Sequence, residues 1–232
     1  MPTIYANGKD DSIDTGQQAN HAAARGFTGI GTLDGAGDTS TAYGPGYFVF
    51  TGRGGATYRI HRVFMFFDTS GVSSVDTATL KLYYESISSG MDIRIFKSDA
   101  FGGDGDTLLA AIDFDNLDWN TPYGAIDLDA GTGTYSITLS SDAKTDMVND
   151  DVLIIAIVQG TNDYGDYDPG TATNYQKSAT LRMADYTGTS FDPRIEYTLP
   201  GYTHDVSGLA AASISKVDEV ATANIGKING LD

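Results

Sequence analysis

Apolar and polar residues alternate in several short segments of the chain. In TATLKLYYE, residues Ala78, Leu80, Leu82 and Tyr84 fall on one face of an extended segment and the residues between them on the other. A period of two is the pattern of a half-buried β-strand. The same alternation predicts strands in four further segments: MDIRIFK (91–97), TYSITL (134–139), SATLRM (178–183) and RIEYTL (194–199).

Two other segments are apolar on both faces, namely VFMFF (63–67) and VLIIAIV (152–158). A strand can bury both faces only when other elements cover the sheet on both sides. We therefore expect these two segments to be central strands.

The segments between these strands are rich in Gly and Asp, as in LDGAGDTSTAYGPG (33–46), which we expect to be a loop, and GRGGA (52–56), a predicted turn. One segment, SSDAKTDMVND (140–150), predicts a short helix with Ser141 as its N-cap. At least eight strands with such loops predict an all-β fold, an antiparallel β-sandwich of jelly-roll type with one short helix, over residues 1–199. Residues 200–213 lose the alternation and predict a linker to a tail, residues 214–232.

The segment HRVFMFFDTSGVSSVDTATLKLYYES (61–86) resembles the signature of the DNRLRE family, the disaggregatase-related repeat. The resemblance covers about residues 58–199, and the ending SATLRMADYTGTSFDPRIEYTL is similar to the last two strands of that family. It implies a jelly roll related to carbohydrate-binding domains. The positions that carry it are Arg62, Phe64, Phe67, Asp68, Ala78, Leu80, Leu82, Tyr83, Pro193, Arg194 and Ile195.

The chain has a formal charge of −17 and no cysteine, and nearly all of its acidic residues are Asp. Such a charge repels nucleic-acid backbones and anionic lipids, so we expect neither nucleic acid nor membrane as a partner. Without cysteine, stability depends on packing, ions or oligomerisation. The first residues carry no basic segment followed by an apolar one, so we expect no Sec signal peptide and synthesis in a cytoplasm.

Motifs of catalysis are missing from the sequence. His21, His61 and His204 have no metal-ligand spacing, and neither a nucleophile elbow nor a phosphate loop occurs. Carboxylate pairs in Asp-rich loops arise by chance. We therefore predict that the protein is not an enzyme and requires no cofactor.

Calcium is the metal that the Asp-rich loops favour, because hard cations prefer carboxylate and carbonyl oxygens on tight turns. The alternative is that these residues make Asx-turns and keep the surface polar. The predicted ligands are Asp163, Asp166 and Asp168 in one loop, and Asp104 and Asp106 in another.

Aromatic residues in loop-like stretches are candidates for stacking on sugars of a host glycan. The alternative is that they cap the core or fill subunit contacts. The candidates are Trp119, Tyr123, Tyr164, Tyr167 and Tyr175.

The tail contains an apolar quasi-repeat, because ISKVDEV (214–220) returns as IGKINGL (225–231). An eleven-residue helical repeat, an extended arm that pairs with another chain and a disordered terminus are the alternatives. Gly and β-branched residues favour the extended arm. The predicted assembly contacts are Ile214, Val217, Val220, Ile225, Ile228 and Leu231.

The second copy, ANIGKING (223–230), resembles short motifs near the ends of bacteriophage virion proteins. Together with the predicted fold, it implies a structural virion protein, most simply a capsid decoration (cement) or head-fibre protein. Its expected partners are itself, as a homotrimer, and another virion protein such as the major capsid protein. The alternative is a carbohydrate-binding module or tail-fibre adhesin that recognises host glycans.

Overall fold

The computed structural model of the chain describes residues 1–34, 41–129, 131–171, 175–185 and 189–200, together with two short strands in the tail. Twelve strands lie before the tail: β1 (Thr3–Tyr5), β2 (Asp11–Asp14), β3 (Thr32–Leu33), β4 (Thr41–Gly52), β5 (Gly55–Asp68), β6 (Thr77–Ile87), β7 (Met91–Ser98), β8 (Leu117–Leu128), β9 (Gly133–Thr138), β10 (Val152–Gln159), β11 (Gln176–Arg182) and β12 (Arg194–Thr198).

All pairings between these strands are antiparallel, and they follow the order β1-β12-β6-β11-β4-β5-β10-β7-β8, with β2 beside β5, β3 beside β2 and β9 beside β6. The long strand β4 pairs with β11 through Thr41 to Phe48 and with β5 through Gly46 to Gly52. It therefore connects the layer built on β6 with the layer built on β5 and β10. The two layers face each other, so the predicted all-β sandwich is confirmed.

Two apolar clusters lie on opposite faces of the layer that contains β5 and β10. Val63, Met65 and Phe67 of β5 point into the cluster between the two layers. Phe64 and Phe66 point the other way, into a cluster with residues of short helical segments. Both central strands are thus buried on both faces, as the apolar runs 63–67 and 152–158 predict.

The helical segments are short. Helix α1 (His21–Arg25) is capped by Asn20, and helix α2 (Ser141–Asn149) is the predicted one. Its N-cap is Ser140 rather than Ser141, because the Ser140 hydroxyl accepts the backbone N–H of Ala143 at 3.3 Å. Single turns lie at Phe101–Gly103, Ala111–Asp115, Gly160–Tyr164 and Thr189–Phe191.

The predicted loop 33–46 is wrong in its second half, since β4 already begins at Thr41. The predicted turn 52–56 is confirmed as the hairpin between β4 and β5. Gly55 has a φ of 109° there, a backbone conformation that side-chain-bearing residues rarely adopt.

In the tail, β13 (Lys216–Val217) pairs antiparallel with β14 (Val220–Ala221), so these four residues are extended. The predicted contacts Ile214, Ile225, Ile228 and Leu231, and the linker beyond Pro200, lie outside the described residues. Across the part of the chain that is described, no helix has the length and apolar character needed to cross a membrane.

Candidate functional site

The segment that follows β10 contains three of the predicted calcium ligands, and the first of them binds an arginine. The carboxylate of Asp163 accepts hydrogen bonds from Nε and Nη2 of Arg62, both at 2.8 Å. Both side chains are fully buried. The Arg62 guanidinium also lies 4.1 Å from the ring centre of Phe114 and 4.9 Å from that of Trp119. Asp163 therefore neutralises a buried charge.

The other two carboxylates of this segment have different partners. Asp166, at a φ of 56°, contacts Arg25 at 2.7 Å and His21 at 3.0 Å. Asp168 accepts the backbone N–H of Gly170 at 2.8 Å, which is an Asx-type turn. Within the described ranges, no group of three or more His, Asp or Glu side chains is arranged to hold a metal ion. Calcium binding stays a prediction.

Asp104 and Asp106 lie in a cleft of 640 Å³ between the turn at 101–103 and helix α2. Asp104 accepts the backbone N–H of Asp106 at 3.0 Å. Lys97 contacts Asp146 at 2.9 Å in this cleft, and this hydrogen bond raises the pKa of the lysine. The cleft is strongly acidic, with carboxylates from Asp99, Asp104, Asp106, Asp146, Asp150 and Asp151 along its walls.

Two of the predicted glycan-binding residues, Trp119 and Tyr164, stack against each other. Their ring centres are 6.1 Å apart, with planes inclined by 21°. Phe96 packs against both, at 5.3 Å and 5.1 Å. Tyr164 remains 44% exposed. Trp119 lies on β8 rather than in the loop that we predict for it.

A cavity of 460 Å³ adjoins Tyr164, whereas Trp119 is not in its lining. Tyr164 and Tyr123 line it, together with apolar atoms of Phe96 and Pro122 and the guanidinium-bearing side chain of Arg94. Tyr123 is buried on β8 instead of exposed in a loop, and its hydroxyl donates to Asp146. Burial raises the pKa of Tyr123, and the hydrogen bond acts in the same direction.

The remaining two candidate aromatics lie apart from that cavity's lining. Tyr167 is 56% exposed. Tyr175 donates its hydroxyl hydrogen to Asn162 at 3.2 Å and packs edge-on against Tyr47. The structure thus brings Trp119, Tyr123 and Tyr164 together, with Tyr123 as part of the wall. We refer to Trp119, Tyr164 and the adjoining cavity as the aromatic edge.

Another pocket, of 340 Å³, contains none of the candidate residues predicted from the sequence. It is lined by residues that are distant along the chain: Asp14, Asp34, Phe48, Phe50, Arg59, His61 and Gln176. The alternation in YFVF (47–50) is the signal that was available, since it places Phe48 and Phe50 together opposite Tyr47 and Val49.

Over the described residues, the fold and these surfaces define an acidic, antiparallel β-sandwich that carries the aromatic edge and a separate pocket with a phenylalanine wall. A scan against models of known protein families finds no match to the chain, and a search of curated proteins finds no relative. The resemblance to the DNRLRE family and that to phage virion proteins stay predictions.

Proposed function

We propose that the chain is a structural protein of a bacteriophage particle, a capsid decoration or head-fibre protein. Its jelly-roll-type sandwich is displayed on the surface of the virion. The tail joins copies of the chain, most simply as a trimer, or anchors them to another virion protein such as the major capsid protein.

One observation carries this proposal: the sandwich closes both faces of its central layer with elements that all lie within residues 1–199. The two apolar clusters draw their side chains from β2, from β4 to β12 and from the helical segments. The large aliphatic residues of 214–231 are therefore not needed to cover β5 or β10.

Each large aliphatic side chain gains about 1.5–3 kcal/mol when it is fully buried. A short arm has no interior of its own for Ile214, Ile225, Ile228 and Leu231. A second chain or another virion protein supplies such a surface. The charge of −17 supports display at the surface, because an acidic exterior repels packaged DNA and other polyanions.

Mass spectrometry of gradient-purified particles tests the virion assignment. We expect peptides of this chain in a fixed ratio to those of the major capsid protein. Peptides confined to the particle-free fraction of the same lysate would overturn it.

The aromatic edge supports a second candidate, recognition of a host glycan. Aromatic faces bind the C–H faces of sugars through apolar contact, and the side chain of Arg94 lines the same cavity. Binding of the full chain to a glycan array tests this candidate. We expect Tyr164→Ala to abolish the response and Tyr167→Ala to preserve it; equal responses of the two variants would contradict glycan binding at this edge.

A further inference from the structure

The pocket of 340 Å³ is assembled by the strand register of four strands. Phe48 on β4 lies opposite Arg59 on β5 and opposite Gln176 on β11. His61 on β5 lies opposite Asp14 on β2. We call this site the hairpin pocket, because the β4–β5 hairpin contributes both of its aromatic rings. Backbone pairing of strands sets the position of every lining residue except Asp34, which follows β3 in a bend.

The apolar wall of the hairpin pocket consists of Phe48 and Phe50. Their rings are parallel to within 3°, with centres 6.0 Å apart. Phe48 also packs against the His61 ring at 5.1 Å. Phe50 remains 40% exposed although it is apolar, so a ring surface faces the opening. Such a surface gains free energy when a ligand removes it from water.

The polar wall offers both donors and acceptors. The carboxylates of Asp14 and Asp34 are acceptors, and Asp14 already accepts the Gly16 N–H at 2.5 Å. The Arg59 guanidinium and the Gln176 amide are donors, and one amide hydrogen already goes to the Ser178 hydroxyl at 2.6 Å. The guanidinium of Arg59 lies 5.7 Å from the centre of the Phe50 ring and its Nε lies 3.8 Å from Asp14. Polar groups of both kinds thus border one aromatic wall.

The charge balance of the pocket argues against an ionic ligand. Burial lowers the pKa of His61 to about 4, so its ring is neutral at pH 7. The positive charge of Arg59 offsets the negative charge of Asp14 beside it. The carboxylate of Asp34 disfavours an anion. The positive charge of Arg59, 5.7 Å from the centre of the Phe50 ring, disfavours a cation beside that ring.

We propose that the hairpin pocket binds the ring of a neutral sugar. The C–H face of the ring packs on Phe48 and Phe50, and its hydroxyls donate to the carboxylates and accept from Arg59 and Gln176. Ligand pockets usually span ~300–1,000 Å³, and 340 Å³ is at the lower end, which limits the site to one small ring. The site is separate from the aromatic edge, because the two pockets share no lining residue.

Saturation-transfer NMR on the full chain tests this proposal. The probes are the methyl glycosides of glucose, galactose, mannose and N-acetylglucosamine, each at millimolar concentration. We expect a signal from at least one of them. Phe50→Ala should weaken the affinity for that glycoside about tenfold or more, and Asp34→Asn should weaken it too. Both side chains are exposed, so these variants are expected to fold.

Tyr167→Ala is the matched control, because it removes an exposed aromatic ring that is not part of the pocket. We expect it to bind like the unmodified chain. Signal from none of the four glycosides would overturn the proposal. Equal binding by Phe50→Ala and the unmodified chain would overturn it too, as would a response to tetramethylammonium stronger than that to any glycoside.

Discussion

The charged guanidinium of Arg62 is buried beside Phe114 and Trp119. Two hydrogen bonds to the carboxylate of Asp163 stabilise it there. Taking an arginine and a carboxylate out of water costs several kcal/mol for each ion, and their attraction offsets this only when the geometry is good. The two 2.8 Å contacts to Asp163 supply that geometry. The pair also fixes the 160–164 turn, and hence Tyr164, against β5.

We expect Asp163→Asn to lower the free energy of unfolding by about 3–5 kcal/mol, because it removes the fully buried carboxylate that pairs with Arg62 and leaves Asp115, which is 3.3 Å away and partly exposed. Urea unfolding measures the change. The control is Lys81→Met, which removes a partly exposed ion pair with Glu196 at 3.8 Å and should cost at most about 1 kcal/mol. Equal losses in the two variants would contradict the assigned role of Asp163.

Asp10 is a buried acid that favours its protonated form. Both of its carboxyl oxygens accept from the backbone N–H of Ala184. Burial raises the pKa of Asp10 to about 8, and the negative charges of Asp185 and Asp11 raise it as well. The hydrogen bond from Ala184 acts in the opposite direction and lowers the pKa. In the unfolded chain the group loses its proton near the ordinary value of 3.8.

Between these two pKa values the folded chain binds more protons at Asp10 than the unfolded chain, so stability falls as pH rises from about 4 to about 8. Asp10→Asn imitates the protonated acid and should flatten this part of the stability profile. Urea unfolding of both proteins across that range measures the difference. Parallel profiles for the variant and the unmodified chain would show that Asp10 does not cause the slope.

At the scale of elements, the start of helix α2 depends on one hydroxyl. Ser140 accepts the Ala143 N–H, whereas the neighbouring Ser141 is exposed and lies inside the helix. Ser140→Ala should cost about 0.5–2 kcal/mol of stability, the usual range for loss of an N-cap. Ser141→Ala is the matched control and should stay within about 0.5 kcal/mol. Thermal melts compare the two, and a larger loss for Ser141→Ala would reverse the assignment of the cap.

Strands can be predicted from the sequence where the pattern of buried residues follows the two-residue period of an extended backbone. The both-face burial of β5 and β10 is visible in the sequence because VFMFF and VLIIAIV contain no polar residue. The alternation does not predict strand β8, since its segment LDWNTPYGAIDL mixes Pro, Gly and Asp with its apolar residues. The predicted cap of α2 is one residue from the observed cap because two serines are adjacent, and helix boundaries vary by this much.

The sites were harder to predict because they depend on contacts between distant residues. Asp163 looked like a metal ligand in its local context, and only folding brings it to Arg62. The hairpin pocket unites residues 14, 48, 59 and 176 through strand register, which no local pattern specifies. Trp119 on β8 and Tyr164 in the 160–164 turn are likewise distant along the chain, and only folding brings them together.

At the scale of the whole molecule, the described residues before the tail form a sandwich that covers its own core, and the sequence of the tail contains an apolar quasi-repeat. The aromatic edge and the hairpin pocket both lie on the sandwich. The tail accounts for attachment in the proposed function. Ser215 and Thr222 are polar positions of the tail. Asp substitutions at these two positions add the same charge as Asp substitutions at two aliphatic positions, so they serve as the matched control.

The molar mass of the full chain in solution, measured by light scattering during gel filtration, tests the central claim most directly. We predict a mass of about three chains of 24.5 kDa each. The double variant Ile225→Asp, Ile228→Asp should reduce the molar mass to that of one chain and leave the melting temperature of the sandwich unchanged. The control double variant Ser215→Asp, Thr222→Asp should keep the mass of the oligomer. A single-chain mass for the unmodified protein, or an oligomer that survives the Ile225 and Ile228 substitutions, would contradict assembly through the tail.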